Sequence, residues 1–568
     1  MKGHYSDVWQ AVARAVPQRP AVVTPAETMT YGRLLAEAGA FARYLRERGV
    51  QPGEAVAMLL YNRPEYVVGL FACLATGIAP VPMNYRYRAP EVRALLEDSR
   101  ARVLVYPTSL SDVVRDAVAH WPDAPMFVVI DDGPAGEVAA ADAAHTATRI
   151  LTRDGEYSLG SANTHSAWAD VVAGGGELPA TPPPGGELRL YTGGTTGRPK
   201  AVVWGAEDIL AVQSYSIYTT AGLPVPESMA EAIAVASDPA IPRVVTLPLS
   251  PFMHGTALFT SMNTLVLGGT VLVIASPRFD PDAAARFAVD AGATRLIVAG
   301  DAVALPLVEA VERAGLDGFG RVNSMISSGM RFSPAVKRRW HAHAAITITD
   351  LLASTEGGPY AVNETTSVAD LPGELRLLPG TVVLDDELRD VQHIAGGRGV
   401  LAFRGTLPKG YFGDEEKTRA TFPVIDGVRH VMPGDWAVAR GDGTVELLGR
   451  GSAVVNTGGE KVYPAEVEDA LVAFPGIVDA VVFGVPDLRY GELVTAVIVA
   501  GPDAELDAEA LRAHLDARLA GYKKPRHLFV RDSLERSPHG KVDLPRLQAE
   551  LAPLVGSDAP TGTMRIRR

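Results

Sequence analysis

The chain has 568 residues, 47% of them hydrophobic and 21% charged, the make-up of an ordinary globular protein too long for one compact domain. Its net charge of −13 excludes the domain-wide basic field that nucleic-acid binding requires. A single cysteine, Cys73, excludes an intramolecular disulfide and a Cys-rich zinc site, and its apolar surroundings predict a buried, inert thiol.

In chain order, Val8, Val12 and Ala15 fall at helical spacing, followed by a short strand at 21–23 and a second helix over 30–49. Residues 55–60 read as a strand, 64–77 as a helix and 79–82 as an extended segment, with further strands at 103–105 and 126–130. Such alternation predicts parallel sheet with helices on its faces. Residues 131–186, rich in Gly, Ala, Pro, Ser and Asp, predict a long surface excursion. A further α/β stretch places strands at 244–249, 270–274 and 296–298 and a helix at 281–291. From about residue 375 short strands and turns predict a β-rich subdomain. From Ser452 onward a helix at 464–473, strands at 478–484 and 493–499 and a helix at 507–519 predict a small α+β unit. The fold class is therefore α/β: a large N-terminal domain over 1–451, a small mobile C-terminal domain over 452–555, and a disordered tail over 556–568. The N-terminus lacks a signal-peptide core, and the longest apolar stretch, 265–275, is interrupted by Gly268 and Gly269. No integral membrane segment is expected, and the location predicted is cytoplasmic.

The most informative stretch is Tyr191-Thr192-Gly193-Gly194-Thr195-Thr196-Gly197-Arg198-Pro199-Lys200. Its glycines let backbone N–H groups approach an anion, its threonines donate further hydrogen bonds, and its cations oppose phosphate charge. Pro199 separates the last glycine from Lys200, so it is not a Walker loop. The stretch resembles the signature loop of the adenylate-forming superfamily, which includes acyl-CoA synthetases, peptide-synthetase adenylation domains and luciferases. Later segments extend the resemblance in order. Pro248 to Gly255 is similar to the element that ends in an aromatic or histidine gate to the acyl pocket, here His254. Ser327-Ser328-Gly329-Met330-Arg331 falls where the family builds its adenine wall, in abbreviated form. Leu352-Ala353-Ser354-Thr355-Glu356 stands in place of Tyr-Gly-x-Thr-Glu, departing at its first two positions. Pro433-Gly434-Asp435 and Gly449-Arg450 are similar to the ribose and phosphate contacts. Asn456 to Glu468 resembles the loop and helix that open the C-terminal domain, and Ser537-Pro538-His539-Gly540-Lys541 its closing motif.

The resemblance spans nearly the whole chain and implies residue roles. Thr192, Gly193, Gly194, Thr195, Thr196, Gly197, Lys200, Ser328, Gly329, Ser354, Asp435 and Arg450 would bind ATP or AMP. Thr355, Glu356 and Lys541 would be catalytic, with Glu356 as the Mg²⁺ ligand. His254 and Gly300 would line the acyl pocket, Gly458 and Gly459 the coenzyme A passage, and Ser452 would be the hinge, where the family carries Asp or Lys. The implied reaction is ATP-dependent formation of an acyl-adenylate from a small-molecule carboxylic acid, then transfer to coenzyme A. Gly193-Gly194, Trp204, Gly300-Asp301 and Gly449-Arg450-Gly451-Ser452 resemble the branch acting on steroid-type and related polycyclic acids. Medium- or long-chain fatty acids are the nearest alternative, and an adenylation-only enzyme passing its product to another protein is a third. No nucleic acid partner is expected, and the family analogy allows a homodimer.

Overall fold

The computed structural model describes residues 3–133, 150–152, 155–157, 165–183, 185–192, 199–316, 318–330, 332–450, 455–462, 464–501, 504, 506–535, 542, 544–555 and 565–567. Six of the fifteen strands of its principal sheet run parallel. Strands Pro20–Val23, Thr270–Leu272, Val245–Pro248, Arg295–Val298, Ser324–Ser328 and Thr347–Ser354 lie side by side in that order, all pointing one way. Helices cover both faces, so the strands bury both sets of side chains. Ile297 joins a core with helix Gly255–Val266, while Leu296 and Val298 pack with helices Pro281–Asp290 and Gly300–Ala314.

Beyond Thr347–Ser354 the pairing turns antiparallel, because Gly357–Thr365 folds straight back with no crossover helix. Leu375–Leu377, Thr444–Arg450, Asp435–Ala439 and Arg398–Arg404 continue the same sheet. The β-rich stretch expected from residue 375 is thus an extension of the main sheet. A second, parallel sheet has the order Ala79–Pro82, Ala55–Met58, Ala101–Pro107, Met126–Ile130, His165–Ala167. Its last strand and the helix Trp168–Val172 correct the expectation of a surface excursion over 131–186. Trp168 is buried, its ring 5.2 Å from that of Phe41, and an indole inserted there ties the segment to the core.

Local signals set the element ends. Thr30 accepts from the Arg33 amide to begin helix Tyr31–Glu47, and Asp280 caps Pro281–Asp290. Helix Pro64–Thr76 starts on proline, which needs no backbone donor there, and stops at Gly77 with φ 70°. Cys73 is buried in this helix, and burial pushes its thiol upward, away from reactivity.

The C-terminal unit has its own six-stranded sheet, formed by Val455–Thr457, Glu460–Val462, Ile477–Asp487, Gly491–Ala500, His527–Arg531 and Arg565–Arg567. Val467, Leu471, Leu511 and Leu515 from helices Pro464–Val472 and Ala508–Asp516 pack on that sheet, as do Leu547 and Leu551 of helix Leu544–Leu551. Arg565–Arg567 pairs in parallel with His527–Arg531. This short stretch departs from the disordered tail expected over 556–568, because the exposed sheet edge supplies backbone partners. The 451/452 boundary lies outside the described residues.

Candidate functional site

The parallel register explains why distant motifs meet. Pro248 pairs with Ile297, Val298 with Ser327, and Ser328 with Leu351. The carboxyl ends of four neighbouring strands therefore deliver His254, Ala299, Gly329 and Thr355 to one edge, where open α/β sheets hold ligands. A cavity of about 540 Å³ opens there, within the usual range for ligand sites. Thr192, His254, Ser328, Gly329, Ser354, Thr355, Gly458 and Gly459 line it.

The antiparallel strands Glu187–Thr192 and Lys200–Gly205 bring Thr192 opposite Lys200, so the stems of the phosphate loop are fixed side by side. Gly193, Gly194, Thr195, Thr196 and Gly197 lie outside the described residues. The Lys200 ammonium stands 3.0 Å from the Asp414 carboxylate. The Lys417 amide and Lys200 hold that carboxyl below its usual range. Trp204 Nε1 donates to the Thr355 carbonyl at 2.9 Å, which ties the strand Lys200–Gly205 to the turn after Thr347–Ser354.

Glu356 is oriented by two groups. Its amide donates to Ser354 Oγ at 3.2 Å, and the Tyr411 hydroxyl donates to its carboxylate at 2.7 Å. Burial, then Glu356, pushes the Tyr411 phenol upward, so it remains a donor. A single oriented carboxylate suits Mg²⁺, which is characteristically bound through one or two carboxylates plus substrate phosphates. Among the described residues no cluster of three His, Cys, Asp or Glu side chains forms a metal cage. Asp435 is buried and pairs across the antiparallel ladder with Arg450. Neither Asp435, Glu356 nor Gly300 is among the residues lining the cavity, whereas Ala299, Ala302 and Val303 are. Gly300 instead opens the helix Gly300–Ala314 at φ 50°, its amide donating to Ser327 Oγ at 3.1 Å.

The C-terminal unit reaches the cavity through the hairpin of Val455–Thr457 and Glu460–Val462. Gly458 and Gly459 form its turn at φ 59° and 86°. A Cβ on Gly459 would lie 3.4 Å from that of Ala299 and 3.6 Å from Met330 Sδ, so the turn sits directly against the strand ends. Glu460, buried beside it, pairs with Arg86 and stands 3.4 Å from His254 Nε2. Burial alone raises a carboxyl, but His254, Arg86 and Lys523 together outweigh it and hold Glu460 below its ordinary value. Lys523 bridges Glu91 of the large domain, at 2.6 Å, and Glu466 of the small one, at 2.8 Å. Asn84 donates to the Tyr522 hydroxyl at 2.9 Å. Ser452 and Lys541 lie outside the described residues.

Sequence reasoning did not single out Arg86, Glu91, Glu460 or Lys523. Glu460 directly follows the flagged glycines and was the accessible signal. Arg86 and Glu91 sit in a region with no motif, and only the docking of two domains gives them a role.

Known proteins agree with this construction. Residues 9–412 match the model of the AMP-binding enzyme family, and 466–541 that of the AMP-binding enzyme C-terminal domain. The chain is 34% identical over 546 residues to the medium/long-chain fatty acid and 3-oxocholest-4-en-26-oate CoA ligase of Mycolicibacterium smegmatis, covering 95% of this chain and 94% of that protein. It is 32% identical to the 3-oxocholest-4-en-26-oate CoA ligase of Rhodococcus rhodochrous, with 95% and 94% covered. Among solved structures, the amide bond synthetase McbA of Marinactinospora thermotolerans superposes with a TM-score of 0.72 at 22% identity, covering 98% of this chain and 100% of that one, a likeness of fold. Motifs, strand-end site and matched length agree: the chain belongs to the AMP-binding enzyme family, the adenylate-forming enzymes that its signature loop resembles.

Proposed function

We propose that this enzyme activates a bulky, largely apolar carboxylic acid, steroid- or terpenoid-like, and transfers it to coenzyme A. In the first step a carboxylate oxygen bonds to the α-phosphorus of ATP as the bond to the β-phosphate oxygen breaks, giving acyl-adenylate and pyrophosphate. In the second, the thiol sulfur bonds to the acyl carbon, AMP leaves and the thiol proton is lost. A carboxylate is a poor electrophile, and the mixed anhydride supplies the leaving group. Thr192, Ser328, Gly329, Ser354 and Thr355 hold the nucleotide at the strand ends, with Asp435 and Arg450 on its ribose and phosphate. Magnesium carried by the triphosphate, with Glu356 as protein ligand, would neutralise charge as the phosphate bond breaks. Lys541 stabilises the charge developing in adenylation. The small domain pivots at Ser452, and the Gly458–Gly459 turn leaves room for the pantetheine arm.

One observation carries this reading: a single cavity joins Thr192, Ser354 and Thr355 of the adenylation side to Gly458 and Gly459 of the small domain. Both half-reactions thus have access to one acyl group. Closure by the small domain keeps water from the anhydride. The relatives favour the acid class, since those named include ligases for 3-oxocholest-4-en-26-oate as well as for medium- and long-chain fatty acids. Mass spectrometry of products from ATP, Mg²⁺ and steroid, terpenoid, fatty and aryl acids, with and without coenzyme A, tests it. A polycyclic acyl-CoA is expected. Turnover of linear acids alone overturns the acid class, and an adenylate that never becomes thioester overturns the second step.

A further inference from the structure

The same cavity runs far from the chemistry, to a place that no motif covers. Arg295 begins the strand Arg295–Val298, four residues before Ala299, so about 13 Å of strand separates it from the adenylate edge. Along this strand the faces alternate, which puts Arg295 on the side of Ile297. Its ladder partner Thr246 hydrogen-bonds Thr264 of helix Gly255–Val266 at 2.7 Å, on that same side. That is the side on which Gln213, Ser216 and Thr220 of the helix Ala206–Thr219 and its end line the cavity, together with Asn263 and Arg295.

Arg295 is 3% exposed. Nη2 donates to the Thr220 carbonyl at 2.8 Å and stands 3.3 Å from its hydroxyl, which caps the helix end. Nε has no partner, and among the described residues no carboxylate pairs with the guanidinium. Burial lowers it to about 10, which leaves the group charged at neutral pH. In the same cavity lining Asn263 Nδ2 donates to Gln213 Oε1 at 2.9 Å, while Asn263 Oδ1 is buried without a partner. Buried cations and amides are normally satisfied, and an unmet group costs about 1–3 kcal/mol. An all-hydrocarbon tail would leave the buried guanidinium with no acceptor but Thr220, whereas Asn263 Oδ1, itself an acceptor, calls for a donor and only its Nδ2 bond positions Gln213.

We propose that Arg295, with Gln213 and Asn263, forms a polar terminus of the acyl pocket that receives an oxygen acceptor on the end of the acid remote from its carboxyl group. The ligand class is a long, mostly apolar acid with a distal ketone. This deepens the proposed function, on which its choice of a polycyclic body rests.

The test compares kcat/KM within two matched pairs. One pair is 3-oxocholest-4-en-26-oic acid and the same skeleton without the ring oxygen, and the other is a linear acid with a terminal methyl ketone and its plain-chain counterpart. Wild type is expected to favour the oxo member of the polycyclic pair at least about tenfold, the ratio a buried hydrogen-bonding site imposes. Arg295→Met should bring that ratio close to one, and Arg295→Lys should retain part of it. If Arg295→Met does not fold, Asn263→Leu and Gln213→Leu should lower the same ratio. An unchanged ratio in folded variants, or a wild-type ratio of one, overturns the proposal. If polycyclic acids are refused but the linear ketone is preferred through Arg295, the polar terminus stands and the bulky-acid reading falls. If no acid is turned over, dissociation constants for the four acids replace rates, and equal affinities within both pairs overturn the proposal.

Discussion

The two ends of the strand Arg295–Val298 are built differently. At its carboxyl end Ala299 lies against Gly459 and lines the cavity with Gly329, Thr355 and Gly458, most of which come from contiguous motifs. At its amino end Arg295 donates to Thr220 and lines the cavity with Gln213 and Asn263, which come from two helices and belong to no motif. In the function proposed, the first end handles parts common to every acyl-adenylate, the phosphate and the reacting carboxyl. The second touches only what differs between acids. The contrast predicts that near-end substitutions slow all acids alike, while far-end substitutions re-rank them.

The largest near-end effect is expected from Lys541→Ala. If Lys541 has the role proposed for it, loss of its charge should slow adenylation about 10²- to 10³-fold. Pyrophosphate exchange measures it, and the loss should be the same for steroid and fatty acids. A loss confined to one acid class would break the comparison. Next is Gly459→Leu. A side chain at φ 86° is strained by about 1–3 kcal/mol, and the atoms beyond its Cβ would enter the space between Ala299 and Met330. Thioester formation from purified adenylate should fall about 10- to 100-fold, and more than adenylation does.

What the sequence disclosed follows the same division. The parallel strands at 21–23, 55–60, 126–130 and 296–298 were legible because strands buried on both faces are runs of apolar residues. Most proposed nucleotide contacts were legible because phosphate needs glycine and hydroxyl in a set order. Helices Ala206–Thr219, Gly255–Val266 and Gly300–Ala314 were not predicted. Ala206–Thr219 carries polar residues on its cavity-facing side, Gln213 and Ser216, which blur an apolar stripe. Gly300–Ala314 contains Pro306, a helix-breaking signal that tertiary packing overrides. Arg86, Glu91 and Lys523 were illegible for another reason. Each reads as a solvated charge until the two domains meet.

Those charges give a smaller effect with a pH signature. The Glu460 carboxyl lies below its ordinary 4.5, because His254, Arg86 and Lys523 outweigh the opposing influence of burial. A depressed carboxyl contributes stability that is present above the unfolded value and lost as pH falls through the folded one. Urea midpoints should therefore fall as pH drops below about 4.5. Glu460→Gln should flatten that fall, and it should slow thioester formation about tenfold by leaving Arg86 without its counter-charge. A slope identical to wild type would remove Glu460 from the docking account.

Trp204 sharpens the comparison most finely, because it belongs to both ends. Its Nε1 holds the Thr355 carbonyl, while its ring meets the edge of Phe259, another cavity-lining residue, at 6.4 Å and 76°. Trp204→Phe keeps an aromatic face toward the acid but removes the donor. One neutral hydrogen bond contributes about 1 kcal/mol, so kcat/KM should fall about fivefold. If the donor's only task is to fix Thr355, the fall is equal for oxo and plain acids and appears in kcat. A change in their ratio would instead mean that the indole transmits the shape of the bound acid to the catalytic turn, and the two ends would have to be treated as one coupled site.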